Sequence, residues 1–383
     1  MYIPRLLENK VTADLKEKNI LFVLGARQVG KTTLLKRVFN RNTTLLNLDI
    51  EYDRQNLIQA SRLEPNEGRR FLGNPEVLII DEAHHFPETG RIVKAWYDFE
   101  TPMKIILSGS STLELFDKTA ESLTGRNRKL YLTPLLFREI LATQKWYRQD
   151  IDTKIFANQI NSLLWEHLVF GGYPASWKEN ERTVYLDNLV VDFLLKDVLR
   201  SDLIRGEETV RKLLLLLAYQ TGSEVSINEL ATNLSVARIT VEKYLDLLEK
   251  IFVIFRLPAF SSNPRKEIVK SQKIYFWDTG VRNALVRNFE TADLRTDMGA
   301  LWENWVIAEV AKKNLTQNLL QNLYFWRTRD GSEIDLIIKE ANGKITPLEI
   351  KWSKDKPSHA NSFEAQYHQK AKVVNKNNFL EFI

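Results

Sequence analysis

Lys31 closes the run Gly25-Ala26-Arg27-Gln28-Val29-Gly30-Lys31-Thr32, which fits the pattern GxxxxGK[ST]. At that spacing each residue type has a task. Glycines let successive backbone N–H groups curl around a phosphate, the lysine ammonium reaches the β- and γ-phosphates, and the threonine hydroxyl holds Mg²⁺. Gly25, Ala26, Arg27, Gln28, Val29, Gly30, Lys31, Thr32 and Thr33 are therefore candidates to bind ATP. The other half of such a site is a strand that delivers carboxylates, and Val77-Leu78-Ile79-Ile80-Asp81-Glu82 supplies it. Asp81 is placed to share Mg²⁺ with Thr32, and Glu82 to polarise the attacking water. Ser110 or Ser111, ending the run KIILSGSS, is a candidate reporter of the γ-phosphate, with plain turn chemistry as the alternative. Arg126 is a candidate to neutralise transition-state charge, in its own subunit or across a boundary, or else a surface arginine.

A second constellation lies near the carboxyl terminus. Asp335 sits in EIDLII, while Glu349 and Lys351 are two apart in ITPLEIKW and so share one face of a strand. Two carboxylates with the Ile350 carbonyl suit Mg²⁺ or Mn²⁺, and Glu303 on the preceding helical run can add an oxygen. Lys351 can then orient a hydrolytic water. The alternative is a half-exposed strand face on which Lys351 itself balances the carboxylates. His84 and His85 read as a loop beside the nucleotide run rather than as a metal pair, and Trp302, Trp305, Trp326 and Trp352 as core rather than base-stacking platforms.

These side chains need a frame. From Asn19 to about Leu132, short apolar runs (NILFVL, TTLLNL, EVLII, MKIIL, KLYL) alternate with amphipathic or polar stretches. That alternation predicts an α/β fold whose parallel sheet is buried on both faces. Residues 135–205 read as helices broken at Gly171-Gly172-Tyr173-Pro174. A helix over 226–234 and a second over 238–251, followed by FVIFRLPAF and VKSQKIYFW, read as a winged helix-turn-helix. Beyond Asp297 one amphipathic helix precedes three strands. The organisation expected is 1–145 for nucleotide, 146–207 as a helical linker, 208–282 as the winged helix and 283–383 as the end domain.

Composition bounds the function. The 383 residues carry 54 basic and 49 acidic groups, a net charge of +5, and no cysteine. Without Cys there is no disulfide framework, thiol nucleophile or iron–sulfur cluster. Leu213–Leu217 is far short of the roughly 20 apolar residues of a membrane span, and the first residues lack a signal-peptide stretch. A soluble cytoplasmic protein without membrane contact is expected. Over 226–250 three basic residues face four acids, a poor balance for phosphate contact, so DNA contact would fall to the wing residues Arg265, Lys266, Lys270 and Lys273. A structural or protein-docking role for the same segment stands beside it.

The motifs GARQVGKTTLL, LIIDEAH, LSGSS, LTGR and TPLLFREIL, followed by GGYPA, LLKDVLRSDL, GSEIDLII and PLEIKW, resemble a family of prokaryotic AAA-type ATPases with a carboxyl-terminal domain of unknown function. The resemblance covers nearly the whole chain. It implies a P-loop NTPase (AAA-like) domain binding ATP on 25–33 with Asp81 and Glu82. It also implies a middle winged-helix region and an α/β end domain similar to PD-(D/E)xK nucleases. Although Asp81-Glu82-Ala83-His84 spells a helicase box, residues 139–383 contain no second nucleotide-binding half, which argues against a helicase. Two functional classes remain: a Mg²⁺-dependent ATPase acting through its later segments on nucleic acid, or a nucleotide-controlled switch that binds a protein partner through an inactive nuclease-like domain.

Overall fold

The run ILFVL forms strand β1 (Ile20–Leu24), and all five of its residues are buried. Burial on both faces follows from its place between two parallel neighbours, β4 (Lys104–Gly109) and β5 (Asn127–Tyr131). With β2 (Thr43–Asn47) and β3 (Val77–Asp81) the sheet has the order β2-β3-β4-β1-β5, parallel throughout. The structure is a computed structural model that describes residues 2–39, 41–109, 123–148, 153–194, 206–261, 272–328, 330–356 and 361–383.

Helices α1 (Glu8–Asp14), α2 (Lys31–Val38), α3 (Glu51–Ser61), α4 (Pro65–Phe71) and α5 (Thr89–Asp98) connect or cover the strands. Phe22, Leu24, Leu46, Leu78, Ile80, Val93, Trp96 and Leu107 meet in one core cluster. Each such buried side chain contributes roughly 1.5–3 kcal/mol. The edge strand β5 exposes Arg128 and Lys129, charges that discourage pairing with another chain. Because β4 separates β1 from β3, the loops leaving β1 and β3 flank the carboxyl end of β4. Open parallel sheets bind ligands at that edge.

Two compact units result: Pro4–Thr133 with Lys250–Phe252, and Met1–Ile3 with Pro134–Glu249 and Val253–Ile383. The division falls at 133/134, and the later segments, apart from Lys250–Phe252, lie in the second of these units. That unit contains α6 (Phe137–Leu141), α7 (Ala157–Phe170), α8 (Arg182–Asn188), α9 (Glu207–Tyr219), α10 (Ile227–Leu234) and α11 (Arg238–Lys250). The antiparallel pair β6 (Ile254–Pro258) and β7 (Gln272–Phe276) follows, then α12 (Thr279–Val286) and α13 (Met298–Gln317). Ser226 caps α10 by accepting from the Glu229 N–H at 3.3 Å.

The end of the chain forms a four-stranded sheet of order β11-β10-β9-β8. Its strands are β8 (Asn322–Arg327), β9 (Glu333–Lys339), β10 (Ile345–Ile350) and β11 (Lys372–Val374). The three strands expected from sequence are present, and the three-residue β11 joins them in parallel with β10. Trp302, Trp305 and Trp326 are buried, with Trp302 and Trp305 stacked at 5.2 Å, so these three serve the core.

The Gly-Gly-Tyr-Pro break has a specific cause. Asp278, which caps α12, accepts from the Gly172 N–H at 2.6 Å and the Val281 N–H at 3.1 Å while fully enclosed. Burial pushes its carboxyl up, and Lys312 and the backbone donors oppose that push. Gly171 has φ +68°, and a Cβ there would overlap Asp278 Oδ1. Replacing Gly171 with Ala should therefore cost at least about 3 kcal/mol, whereas Gly343→Ala should cost about 1 kcal/mol. Gly343 shares a positive φ but has open space around it. Equal losses in chemical denaturation would show that Asp278 does not set the requirement for glycine.

Candidate functional site

The residue after β1, Gly25, has φ +154°, and a Cβ on it would overlap the Leu132 carbonyl oxygen. Gln28 (φ +60°) and Gly30 (φ +95°) complete the curl, and Gly30 caps α2. Lys31 is buried inside this loop, its ammonium donating to the carbonyls of Gly25 at 3.0 Å and Ala26 at 2.9 Å. The loop therefore joins a lysine ammonium to the amino end of an eight-residue helix, two features that favour an anion.

Thr32, one residue on, donates its hydroxyl to Asp81 Oδ2 at 2.5 Å. Asp81 ends β3 and is buried; its other oxygen accepts from the Glu82 N–H at 3.1 Å and from the Ser108 hydroxyl. The sequence-predicted pair Thr32 and Asp81 is thus brought together. Thr32 and Asp81 are hard oxygen donors, a set that fits Mg²⁺. Ser108 is the residue that sequence reasoning missed. Ile80 pairs with Leu107, so Ser108 stands one step along, beside Asp81. Ser110 and Ser111 lie outside the described residues.

Glu82 takes a left-handed backbone at φ +49°, uncommon for a residue with a Cβ, and its carboxylate lies 3.3 Å from His84 Nδ1. Burial raises its pKa, Lys31 opposes the rise, and Asp81 and Asp49 add to it. His85 pairs with Asp49. Both histidines therefore lie in the loop that follows β3, as expected.

Two arginines change the reading. Arg126 donates to Asp98 at 2.7 Å, and its carbonyl accepts from Ile20, the first residue of β1. It sits at the amino edge of the sheet, roughly 16 Å of strand away from the phosphate loop. A charge-neutralising role for Arg126 in its own subunit is therefore corrected: the side chain is at the wrong end of β1. A cavity of about 410 Å³ lined by Lys16, Trp96, Met103 and Lys104 opens at that same amino edge, away from the loop. Arg5, which carries no sequence signal, is buried and donates to the carbonyls of Val29 at 2.9 Å and Thr133 at 2.5 Å. It braces the phosphate loop from behind.

In the second unit, Asp335 and Glu349 are buried, and Asp335 Oδ2 accepts from the Ile350 N–H at 2.6 Å and from Lys351 at 3.3 Å. Glu303 accepts from Lys273 at 3.1 Å and from the Tyr275 hydroxyl at 2.6 Å. Burial pushes Glu303 up to about 7, with Lys273 opposing and Asp335 adding to the rise. Burial likewise raises Asp335, against Lys351 and the Ile350 N–H. Among the described residues no group of three or more His, Asp and Glu side chains is arranged to hold a metal ion. Of the expected ligands, Glu349 follows the Leu336–Leu348 rung beside Asp335, while Asp335 and Glu303 are already paired with ammonium groups. The Lys351 placed by sequence as a water-orienting base is itself part of that pairing.

The basic wing is corrected as well. Lys273 is buried with Glu303 and Glu333, which leaves it unable to reach a DNA phosphate. Arg265, Lys266 and Lys270 lie outside the described residues.

Residues 17–141 match the family model of an AAA domain. Residues 161–292 and 298–381 match two models described as domains of unknown function, DUF8612 and DUF4143. An uncharacterized protein of Mycobacterium tuberculosis is 28% identical over 341 residues, covering 87% of this chain and 70% of that protein. An uncharacterized protein of Methanocaldococcus jannaschii is 24% identical over 352 residues, covering 89% and 77%. Among solved structures, a Signal Transduction ATPase with Numerous Domains from Pyrococcus horikoshii aligns with a TM-score of 0.30 and 13% identity, over 81% of this chain and 45% of that one. A DNA replication initiation factor aligns with a TM-score of 0.29 and 15% identity, over 63% and 86%. No described helix is long and apolar enough to cross a membrane. With its five parallel strands, phosphate loop and AAA-domain match, the first unit is a P-loop NTPase fold of the AAA-like kind.

Arg5 lies before the matched AAA segment, so its brace is testable apart from it. Arg5→Met removes both donors, and amide exchange at Val29–Lys31 should accelerate at least about tenfold while β1 and β4 stay protected. Unchanged exchange in the loop would remove Arg5 from its support.

Proposed function

We propose that this chain is a Mg²⁺-dependent ATPase whose nucleotide state governs the segments beyond residue 207, with a winged helix over 208–282 and a nuclease-like fold over 283–383. The observation that carries the reading is the convergence of Lys31, Thr32, Asp81 and Glu82 at the carboxyl edge of one parallel sheet. Lys31 would exchange neutral carbonyl acceptors for phosphate oxygens, a stronger charge-assisted contact. Thr32 and Asp81 would hold Mg²⁺, which when bound supplies charge neutralisation at the β- and γ-phosphates. Ser108 and the Glu82 N–H fix the orientation of Asp81. Glu82, ionised, accepts a proton from water.

A second reading, a nucleotide-controlled switch whose end domain binds a protein partner without cleaving nucleic acid, is favoured by one observation: the end-domain carboxylates Asp335 and Glu303 are neutralised from within. DNA contact would then have to come from Arg265, Lys266 and Lys270.

Lys31→Ala should abolish tight ATP binding in calorimetry. Glu82→Gln should preserve binding and slow turnover about 100-fold, because phosphate contact and water activation are separate tasks. Ser108→Ala, which loosens Asp81 without touching a phosphate, should raise the Mg²⁺ concentration for half-maximal turnover about tenfold. Undiminished hydrolysis in Glu82→Gln would take Glu82 out of the mechanism. Duplex DNA binding whose salt dependence is the same in parent and Arg265→Ala/Lys266→Ala/Lys270→Ala proteins would dismiss the wing as a nucleic-acid contact.

A further inference from the structure

Lys273 belongs to β7, outside the end-domain sheet, yet its ammonium sits among that domain's carboxylates. It lies 3.1 Å from Glu303 Oε1 on α13 and 2.5 Å from Glu333 Oε1 on β9, and 5.5 Å over the Phe325 ring of β8. Only 2% of its surface is exposed. Glu303 Oε1 also accepts from Tyr275, two residues along the same strand. Lys351 lies on Asp335, and Arg327 approaches Glu333 Oε2 at 3.9 Å while also pairing with Glu224. The carboxylates around Lys273 are thus met by cations of this chain.

The backbone holds Lys273 there. The Phe276 N–H donates to Asn304 Oδ1 at 2.9 Å, and Asn304 Nδ2 returns a bond to the Phe276 carbonyl at 2.9 Å, which bolts β7 to α13. On its other side Lys273 makes an antiparallel bridge with Glu224. The ammonium therefore cannot swing out of the cluster as a surface lysine would; leaving requires β7 to leave.

We propose that Lys273 is the resident cation of this cluster, so that β7 closes the end-domain carboxylates with an ammonium and excludes a divalent ion while it is docked. A Mg²⁺ or Mn²⁺ bound by Glu303 would stand within a few ångströms of the ammonium that its Oε1 already holds together with the Tyr275 hydroxyl. Like charges at that separation in a buried site repel strongly. Metal and docked β7 are alternatives. Glu303 and Glu333, the two carboxylates in contact with the ammonium, are what a metal and the lysine would compete for, with Asp335 near enough to act on the Glu303 charge. The inference rests on these ion pairs alone and on neither reading of the first unit.

The test uses the full chain with Asp81→Asn, free of nucleotide, which removes the carboxylate proposed to hold Mg²⁺ in the first unit. Titration with Mn²⁺, followed by its electron paramagnetic resonance signal, should show no uptake at the end domain while Lys273 is intact. Adding Lys273→Met should create one Mn²⁺ site, at least about 100-fold tighter than any uptake before, and Mn²⁺ should raise the unfolding temperature of that variant alone. A further Glu303→Gln or Glu333→Gln should abolish the new site. Uptake with Lys273 intact that disappears in Asp335→Asn would overturn the inference. So would a folded Lys273→Met protein that takes up no Mn²⁺. Should Lys273→Met fold only when Mn²⁺ is supplied, the ion has replaced the ammonium and the inference stands; failure to fold with and without Mn²⁺ counts against it.

Discussion

Asp81 ties three pieces of the first unit into one working edge. Its two oxygens take a hydrogen bond from Thr32 in the helix after β1, one from Ser108 in β4, and one from the amide of Glu82. Those bonds form only because β4 lies between β1 and β3 and delivers Ser108 one step beyond the Ile80–Leu107 rung. The apolar strands are in this sense the means by which one buried carboxylate is surrounded by the right donors. Because a buried charge is tolerated only when its lone pairs are satisfied, the donors and the strand order depend on each other.

The second unit solves the same problem repeatedly. Glu309 accepts from the Phe137 N–H at 2.8 Å and from Lys312 at 2.7 Å, and so pins the start of α6. Burial raises the Glu309 carboxyl, with Lys312 and the Phe137 amide working against the rise. Arg138 in the same short helix donates to the Ile383 carbonyl at 2.7 Å. The motif TPLLFREIL is therefore a strap: its residues from Pro134 onward are fixed by α13 and by the last residues of the chain. Asp297 does similar work, accepting from Arg295 at 2.9 Å and from Arg282. These networks explain why so many polar residues in this half are buried without any of them having to touch a substrate.

What could be read beforehand was local. The phosphate loop and the Asp81-Glu82 pair are contiguous in sequence, so their chemistry is visible in residue order, and the alternation of apolar runs foretold the parallel sheet. Ser108 is not legible because a string of hydroxyls gives no sign of which one stands beside Asp81; that is set by the register of β4 against β3. Arg5 has no motif, since a side chain that holds carbonyls 24 and 128 residues away is specified by tertiary proximity alone. Lys273 looked like one more charge in a basic wing, and only the docking of β7 on α13 turns it inward. For Arg126 within its own subunit the strand order decides: LTGR precedes β5, and the residue before a parallel strand lies at the edge opposite the ligand.

The two lysines at the heart of the two units invite comparison, because both are buried and both are held by oxygen atoms. Lys31 rests on the carbonyls of Gly25 and Ala26, which are neutral dipoles. A phosphate oxygen offers the same ammonium a formal negative charge at similar distance in place of a neutral dipole, so exchange is favourable. Lys273 rests on Glu303 and Glu333, which already offer that charge. No anion improves on those partners, and a cation can approach them only by displacing the lysine, which leaves an ammonium in a buried site without a counter-charge. Of two similar-looking polar centres, the first is therefore built to exchange its contacts for a ligand and the second to keep them. The difference lies in the acceptors rather than in the lysines.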